Sequence, residues 1–372
     1  MEDTVMTPKA ALERLFTDEQ IQADWFAPSF LAQIPIAQVQ NIIRSLLAEL
    51  GNYQEIQSKE TDFLVIFERG LIPSNIALDD RGKITGLFFH PPRSKGMSLS
   101  EAIEQFKALP GQVSLLVMED REELIALNAD LPLAVGSAFK LAVLNAIQLQ
   151  IESGKKKWQD LVELQPNCKS LPSGFLQTWP DNSFLTIQTL AALMISQSDN
   201  TATDSLIYLV GIPNIEEITP RNQPFLTTRQ AFVLKSNKNS ELLNRYRSGN
   251  AEERRIVLYE ADRQPIPNIN DFNSTPSALD VEWFFTAREL FSLIEKVADL
   301  PLMSINPGVV NANDWEKVAF KGGSEIGVLN LTTWLKAKNG KTYCVVGTWN
   351  NDSALEETRF MSLYGGVIEG LK

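Results

Sequence analysis

The stretch LPLAVGSAFKLAVLNAIQLQI, residues 131–151, contains Lys140 as its only charged residue. A helix that is apolar on nearly every face must lie in the centre of a folded core. A charge in such a place costs free energy unless a partner or a lowered pKa offsets the cost. The segment therefore predicts a central buried helix, whose lysine either reaches solvent or takes part in chemistry.

Ser137 lies three residues before Lys140, in a helix that we predict to begin near Gly136 and to end at Gly154. Residues i and i+3 share a helix face, so a neutral lysine could accept the proton of the serine hydroxyl. Free backbone N–H groups at the start of the helix could stabilise an oxyanion. The alternative is a serine near a helix N-cap and a lysine that extends to solvent.

A second motif, Ser198-Asp199-Asn200, follows one apolar helix and opens another, and it is the one S-D-N in the chain. Its alternative interpretation is a helix N-cap, a position that all three residue types favour. The N-cap interpretation accounts for Asp199 and leaves the other two residues of the motif unexplained.

A third motif, Lys321-Gly322-Gly323-Ser324, is predicted to lead into a strand near the C-terminus. Glycines at such a place let the backbone of a ligand approach a strand edge closely. The N–H of Ser324 could then donate a hydrogen bond to an oxyanion. The alternative is a pair of glycines at a bulge or at the entry to a strand.

Composition argues against several classes of function. The chain has 372 residues, a net charge of −12 and no apolar run long enough to span a bilayer. We therefore expect no nucleic-acid partner and no membrane span. The N-terminus lacks the pattern of a signal peptide, which predicts a cytoplasmic location, or a periplasmic or secreted one if a signal peptide has been removed. We expect a small-molecule substrate, and the sequence is compatible with either a monomer or a homodimer.

The counts of histidine and cysteine limit the chemistry further. His90 is the one histidine, and Cys168 and Cys344 lie far apart, so the sequence offers no metal spacing and we predict no metal and no cofactor. His90 ends a strand-like run, and we predict a partly buried, non-catalytic ring. We predict two buried free thiols, with a single disulfide between them as the alternative.

We predict an α+β fold with two domains. Residues 1–95 combine helices with a small antiparallel meander, in which a hairpin turn at residues 79–82 joins the last two strands. The segment HPPRSKGMS is the predicted linker. Residues 97–372 begin and end with strands, which predicts one antiparallel sheet flanked by the terminal helices. Asn339-Gly340 is the predicted hairpin turn between its last two strands. The helices inserted between those strands predict an all-helical lobe.

No single motif decides the function, but their order and placement resemble the serine β-lactamase and penicillin-binding protein superfamily, whose signature is S-x-x-K, S-D-N and K-T-G. The flanks NADLPLAVGSAFKLAVLNA and KGGSEIGVLNLTTWL are similar to class A β-lactamase segments, and the resemblance covers roughly residues 97–372. TDFLVIFERG and DDRGKITGLFF resemble the cystatin-like or steroid-isomerase-like module that precedes the lactamase-like domain in the clavulanic-acid-pathway hydrolase.

The resemblance implies a role for each motif residue. Ser137 would be the acylated nucleophile, Lys140 its proton acceptor or relay, and Ser198 the group that passes a proton to the leaving atom. Asn200 would hold the side-chain amide of the substrate and help to fix Lys140. Lys321 would attract a substrate carboxylate, and its charge would lower the pKa of Lys140.

The resemblance also implies that Gly322, Gly323 and Ser324 bind the substrate, with the N–H groups of Ser137 and Ser324 as the oxyanion hole. Gly322 stands where the family usually has a hydroxyl, which predicts weaker or different binding of a carboxylate. The glutamate that activates the deacylating water in class A enzymes has no match here. Glu241 is the nearest candidate, and it lacks the expected E-x-x-x-N spacing.

The implied function is a serine hydrolase that forms an acyl-enzyme on Ser137 with β-lactam, ester or amide substrates and deacylates slowly after reaction with penicillins. Its type would be β-lactamase, esterase or D,D-peptidase. The alternative is a non-catalytic protein of the same fold that binds acyl groups, senses β-lactams or binds peptidoglycan. The two differ in turnover after the first acylation.

Overall fold

The computed structural model describes residues 6–18, 20–59, 62–94 and 98–372. Its α-helices, in chain order, are α1 (Pro8–Thr17), α2 (Pro28–Leu31), α3 (Ile36–Leu50), α4 (Leu99–Lys107), α5 (Lys140–Glu152), α6 (Ile187–Ser196), α7 (Asn200–Val210), α8 (Ile212–Ile218), α9 (Thr228–Lys235), α10 (Ser240–Ser248), α11 (Ala251–Ala261), α12 (Ala287–Val297) and α13 (Glu357–Glu369). Its β-strands are β1 (Tyr53–Lys59), β2 (Asp62–Phe67), β3 (Gly70–Leu78), β4 (Ile84–Phe89), β5 (Arg93–Ser94), β6 (Gln112–Glu119), β7 (Glu122–Leu127), β8 (Leu133–Ala134), β9 (Leu161–Glu163), β10 (Phe184–Thr186), β11 (Phe284–Phe285), β12 (Lys317–Glu325), β13 (Val328–Lys336) and β14 (Thr342–Asn350).

The chain divides into two compact units. The first contains the described residues up to Phe106 together with Glu356–Lys372, and the second contains Lys107–Leu355. The closing helix α13, which the sequence places in the second domain, thus belongs to the first unit. There the ring of Phe106 in α4 packs edge-on against Phe360 in α13, with 5.3 Å between the ring centroids. The predicted boundary between residues 95 and 97 lies outside the described residues and stays a prediction.

The first unit is built on an antiparallel sheet with the strand order β1-β2-β3-β4, in which β5 also pairs with β3. Apolar side chains of α1 and α3 form one core with those of the sheet. Its most deeply buried members include Leu12, Leu15, Ile43, Val65 and Ile72. The likeness of this unit to a cystatin-like or steroid-isomerase-like module stays a prediction.

The predicted hairpin turn joins β3 to β4 and is stabilised by one carboxylate. Asp79 Oδ1 accepts hydrogen bonds from the N–H groups of Arg81 and Lys83, each at 2.9 Å. Gly82 has a φ of +73°, a conformation that glycine adopts at little cost. The sequence does not predict β1, because YQEIQSK is mostly polar. Part of the predicted linker, Arg93–Ser94, forms β5, and residues 95–97 of that linker lie outside the described residues.

The predictions for His90 and the cysteines differ in outcome. His90 is exposed, so the prediction of a partly buried ring is wrong: the residue lies just beyond the end of β4, where its Nε2 is 2.8 Å from Asn75 Oδ1. Cys168 and Cys344 are buried free thiols, as predicted. Burial raises the pKa of both thiols.

The second unit contains an antiparallel sheet with the strand order β12-β13-β14-β6-β7. Strands from residues 112–127 thus pair with strands from residues 317–350, which confirms the prediction of one sheet built from both ends of the domain. The predicted hairpin turn at Asn339-Gly340 joins β13 to β14, and Gly340 has a φ of +90°. Helix α12 contacts β6, β13 and β14 and covers one face of the sheet. The α+β class is therefore confirmed.

Helix α5 lies at the centre of the helices of the second unit and contacts α6, α7, α8 and α12. Every residue from Lys140 to Ile147 is buried, which confirms the prediction of a central helix. Its start differs from the predicted one. Residues 136–139 form a short 3-10 helix, because the φ of +48° at Gly136 is incompatible with an α-helix. In the part of the chain that the structure describes, no helix is both long and apolar enough to cross a membrane.

Candidate active site

Ser137 lies in the short 3-10 turn between β8 and α5, and Trp283 fixes this turn at both ends. The N–H of Val135 donates a hydrogen bond of 3.1 Å to the carbonyl of Trp283. The ring of Phe139 stacks on the indole of Trp283, with 3.8 Å between the ring centroids. Ser137 itself is half-buried, so its hydroxyl is anchored by a rigid backbone and still accessible.

Gly323 of β12 lies directly against the turn that carries Ser137. A Cβ atom at position 323 would stand 2.1 Å from Val135 O and 2.5 Å from Ser137 N. Both neighbours are backbone atoms of a constrained turn, so they have no room to move aside. On the other side of the same contact, a Cβ at Gly136 would stand 3.1 Å from Ser324 N. The N–H groups of Ser137 and Ser324 are therefore carried by two segments in direct contact.

The K-x-G motif lies inside β12 and not at its entry, because the strand begins at Lys317. Glycines usually weaken strands, so the sequence predicts a later start for β12 than the structure shows. Strand β12 is an edge strand of the sheet and pairs with β13. Residues alternate between the two faces of a strand, so Lys321 and Gly323 share the face that meets the Ser137 turn. Gly322 points the other way, where a Cβ would stand 2.9 Å from the ring of Phe320.

Lys140 is fully buried, and its ammonium group donates three hydrogen bonds. They go to Ser198 O at 2.6 Å, Ser198 Oγ at 3.0 Å and Asn200 Oδ1 at 2.7 Å. Three bonds are the full donor capacity of an ammonium group, so the cost of burying it is offset. The interpretation of Lys140 as a side chain that extends to solvent is wrong.

The surroundings of Lys140 favour its neutral form. Burial lowers its pKa well below the usual value of 10.5, and the charge of Lys321 lowers it further. The carboxylates of Asp204 and Asp199 act in the opposite direction. Burial also lowers the pKa of Lys321 to about 7. Two lysines thus face each other in the core, with two buried carboxylates nearby that limit the repulsion.

Ser198 lies between these two lysines. Its Oγ accepts hydrogen bonds from Lys140 Nζ at 3.0 Å and from Lys321 Nζ at 3.1 Å. Its φ of +54° is unusual for a residue with a side chain, and this conformation turns both the carbonyl and the hydroxyl toward Lys140. Ser173 Oγ donates a further bond of 2.7 Å to the Ser198 carbonyl. Ser173 has no signal in the sequence, because its contact with the motif is tertiary.

The other two residues of the S-D-N motif have separate structural tasks. Asp199 is the N-cap of α7 and accepts a hydrogen bond of 2.8 Å from Ala202 N, as the N-cap interpretation predicts. It also accepts bonds from the two N–H groups of residues 175–176, which ties that loop to the motif. Asn200 Oδ1 fixes Lys140, while its Nδ2 donates to Leu171 O at 3.0 Å and keeps a second hydrogen for another acceptor.

Asp204 belongs to the site and is not predicted from the sequence. It lies one helical turn after Asn200 on α7, is fully buried and accepts hydrogen bonds from Thr228 N at 2.7 Å and Arg229 N at 2.9 Å. It therefore fixes the start of α9. Burial raises its pKa to about 7. The i, i+4 spacing in SDNTATD was the available signal, since it places Asp204 on the face of Asn200.

Glu241, the nearest candidate in sequence for a deacylating base, is exposed in the first turn of α10. That helix contacts α9 and α11. The carboxylates that influence Lys140 electrostatically are those of Asp199 and Asp204, and the hydrogen bonds described above hold both of them.

About three quarters of the chain have the fold of serine β-lactamases and penicillin-binding proteins. The beta-lactamase from Sphaerobacter thermophilus DSM 20745 matches the chain with a TM-score of 0.51 and 20% identity, over 73% of this chain and 97% of that one. The TLA-1 extended spectrum beta-lactamase matches with a TM-score of 0.51 and 15% identity, over 73% and 95%. A point mutant of PBP-A, solved as an acyl-enzyme complex with penicillin G, matches with a TM-score of 0.50 and 16% identity, over 74% and 97%.

The sequence model described as the beta-lactamase enzyme family matches residues 98–303. The match spans more than half of the 372 residues, so the chain belongs to the beta-lactamase enzyme family. It is accordingly a serine hydrolase of β-lactamase type. No curated protein matches the chain in sequence.

We predict that Gly323→Ala removes reactivity at Ser137, because the added methyl would collide with Val135 O and Ser137 N. The measurement is the rate at which a fluorophosphonate probe labels Ser137, and we expect a loss on the order of 10²-fold, as when an oxyanion donor is displaced. Gly86→Ala, in a strand where the nearest neighbour of the new Cβ is 3.6 Å away, is the matched control and should label like the parent. Normal labelling of Gly323→Ala would contradict the close contact.

Proposed function

We propose that Ser137 is acylated by β-lactam, ester or amide substrates and that Lys140 and Ser198 move its proton. The observation that carries this proposal is the buried Lys140 ammonium site, which lies one turn from Ser137, is bonded to Ser198 and favours the neutral amine. A neutral amine can accept a proton from a hydroxyl at physiological pH, whereas an ordinary exposed lysine cannot.

The proton route follows from the hydrogen bonds around Ser198. Lys140 takes the proton of Ser137 while the Ser137 oxygen attacks the carbonyl carbon of the substrate. The N–H groups of Ser137 and Ser324 receive the developing oxyanion. Lys140 then passes the proton to Ser198, whose hydroxyl donates its own proton to the leaving nitrogen or oxygen. The 3.0 Å contact between Lys140 Nζ and Ser198 Oγ supports this order of transfers.

Lys321 and Asn200 are the proposed substrate contacts. A substrate carboxylate beside Lys321 Nζ would keep that lysine charged, since an opposite charge raises the pKa of an ammonium group. The second hydrogen of Asn200 Nδ2 is available for an amide carbonyl of the acyl group. Gly322 contributes no hydroxyl to the carboxylate, so Lys321 and Ser198 carry most of that recognition.

Slow deacylation is the second part of the proposal. Release of an acyl-enzyme needs a base that activates water, and Glu241 is exposed on α10. Lys140 can serve again only after its proton has left through Ser198. The solved point mutant of PBP-A is an acyl-enzyme complex with penicillin G, which makes penicillin G the first lactam to test here. Small esters leave a less hindered acyl group and should be released faster.

The alternative function is a non-catalytic protein that is acylated once and stays acylated, as a β-lactam sensor would be. The buried carboxylates near Lys140 accept hydrogen bonds from backbone N–H groups. This favours the alternative, because carboxylates held in this way are poorly placed to activate water at the ester. Esterase and D,D-peptidase activity remain within the main proposal, because both need the same acyl-enzyme.

We predict that Lys140→Met lowers acylation of Ser137 by a neutral activated ester about 10³-fold, because it removes the base without adding a polar group to the core. Lys321→Met should leave that rate within a few-fold and raise KM for substrates that carry a carboxylate. The measurement is kcat/KM for a neutral and an anionic ester that share one acyl group. Equal losses for the two esters in Lys321→Met would refute the division of labour between the lysines.

We predict a pH dependence that belongs to Lys321. Its pKa is about 7 in the free protein, so it is charged below that pH and becomes neutral above it. Binding of an anionic substrate should therefore weaken as the pH rises through 7, while binding of a neutral ester should not. The ratio of the two KM values between pH 6 and 9 measures this effect, and Lys321→Met should make the ratio independent of pH. A flat ratio in the parent protein would contradict it.

We predict a burst of about one equivalent of product with nitrocefin, followed by a low steady rate, because acylation outruns deacylation. Stopped-flow absorbance measures the burst, and a steady-state assay on an acetyl ester gives the comparison. Glu241→Gln should change neither phase, since Glu241 is exposed on α10. Rapid lactam turnover without a burst would contradict slow deacylation. Loss of that turnover in Glu241→Gln would then identify Glu241 as the base.

A further inference from the structure

Lys235, Glu282 and Glu325 form a buried charged cluster that the proposed mechanism does not use. Lys235 Nζ donates hydrogen bonds to Glu282 Oε1 and, at 2.6 Å, to Glu325 Oε2. The side chains of Lys235 and Glu282 are 4% and 0% exposed, and that of Glu325 is 35% exposed. One cation thus stands between two carboxylates, in a place where solvent compensates little of the charge.

The cluster is covalently next to both segments that form the proposed oxyanion hole. Glu325 follows Ser324 in β12, and Glu282 precedes Trp283. Trp283 holds the Ser137 turn through its carbonyl and its indole ring, as described above. Lys235 therefore connects two places through its bonds to Glu325 and Glu282. One is β12, which carries the N–H of Ser324, and the other is the neighbour of Trp283, which holds the Ser137 turn.

Charge balance favours one proton in the cluster. Lys235 neutralises one carboxylate, so ionisation of both would leave one negative charge uncompensated beside the fully buried Glu282 side chain. Glu282 Oε2 is shielded and has no partner as a carboxylate oxygen. The side chains of Glu282 and Glu325 lie within hydrogen-bonding reach, and two carboxyl groups can bond only if one carries a proton. A proton on Glu282 that is donated to Glu325 leaves one cation and one carboxylate in the cluster.

The electrostatic surroundings agree with this placement of the proton. Burial raises the pKa of Glu282 to about 8, although the charge of Lys235 acts against it. Burial also opposes ionisation of Glu325, but the hydrogen bond from Glu282 and the charge of Lys235 lower the pKa of Glu325 overall. The charge of Lys235 also acts on Asp280, which is paired with Arg247 through two hydrogen bonds.

We propose that Lys235, Glu282 and Glu325 are positioning residues that keep the N–H of Ser324 in register with the N–H of Ser137, and that Glu282 acts as a neutral acid which donates to Glu325. The proposal rests on the proposed acyl-enzyme function, because it assigns the cluster to the oxyanion hole of that reaction. Ionisation of Glu282 removes the bond to Glu325 and loosens the end of β12.

Glu282→Gln tests whether Glu282 acts as a neutral acid or as an ionised carboxylate. A glutamine amide donates to Glu325 and accepts from Lys235 with nearly the same shape as the protonated acid. We expect Glu282→Gln to acylate Ser137 within about twofold of the parent at pH 7. Above pH 8 the parent should slow as Glu282 ionises, so the ratio of the Glu282→Gln rate to the parent rate should rise. Glu282→Ala, which breaks the link, should lose about tenfold or more at every pH.

The control is Glu260→Gln, which breaks an exposed pair between Arg245 on α10 and Glu260 on α11. Its rate relative to the parent should not depend on pH. The proposal is overturned if Glu282→Gln is as slow as Glu282→Ala, which would mean that the ionised form is required, or if Glu282→Ala acylates like the parent. Circular dichroism checks that Glu282→Ala is folded, and the comparison of Glu282→Gln with the parent remains decisive if it is not.

Two further readouts do not depend on catalysis. The free energy of unfolding of the parent, relative to Glu282→Gln, should decrease between pH 5 and 8, because the folded state binds a proton that the unfolded state has released. In ¹⁵N-serine-labelled protein, the Ser324 amide resonance, assigned with Ser324→Ala, should move in Glu282→Ala and stay in Glu282→Gln. If the parent is never acylated, the acyl-enzyme proposal fails while these readouts still decide the state of Glu282 and the position of Ser324. A constant difference in stability and an unmoved resonance would overturn the inference.

Discussion

The burial of the Lys140 ammonium group is the constraint on which the rest of the site depends. An amine in the core is tolerable only if every donor finds an acceptor, and here the acceptors are the carbonyl and hydroxyl of Ser198 and the amide oxygen of Asn200. Those three atoms come from Ser198 and Asn200, which lie just before α7 and at its first residue, so fixing the lysine also fixes the S-D-N motif. Ser198 has a left-handed backbone, and in this conformation both its carbonyl and its hydroxyl oxygen accept hydrogen bonds from Lys140.

A second constraint is steric and comes from the edge of the sheet. The Ser137 turn and β12 approach so closely that only glycine fits at position 323. That contact brings together the segments that carry the N–H groups of Ser137 and Ser324. Trp283 is bonded to the first segment, and the Lys235 cluster includes Glu325 of the second. Ser137 thus lies where the hydrogen-bonded Lys140 of the helical lobe and the edge strand β12 of the sheet come together. The proposed mechanism places acyl transfer at this junction.

The parts of this architecture that depend on local pattern could be predicted from the sequence. The apolar run around Lys140 indicates the central helix, and Asn339-Gly340 indicates the β13–β14 hairpin. The parts that depend on tertiary contact could not. The close approach of the Ser137 turn to Gly323 is one such contact, and no local pattern encodes it. Helix α13 reads as part of the second domain because it follows β14 directly, yet it packs in the first unit. Asp204 had a usable signal in its helical spacing, whereas Lys235, Glu282 and Glu325 are too far apart in sequence to suggest a cluster.

The central claim is that burial lowers the pKa of Lys140 well below 10.5, that the charge of Lys321 lowers it further, and that both effects favour the neutral amine. The direct measurement is an NMR titration of protein labelled with ¹³Cε-lysine, in which Lys140→Met identifies the resonance of Lys140. The account predicts that Lys140 titrates far below 10.5 and that its pKa rises in Lys321→Met, where the neighbouring charge is gone. A Lys140 resonance that titrates near 10.5, or one that does not respond to Lys321→Met, would contradict it.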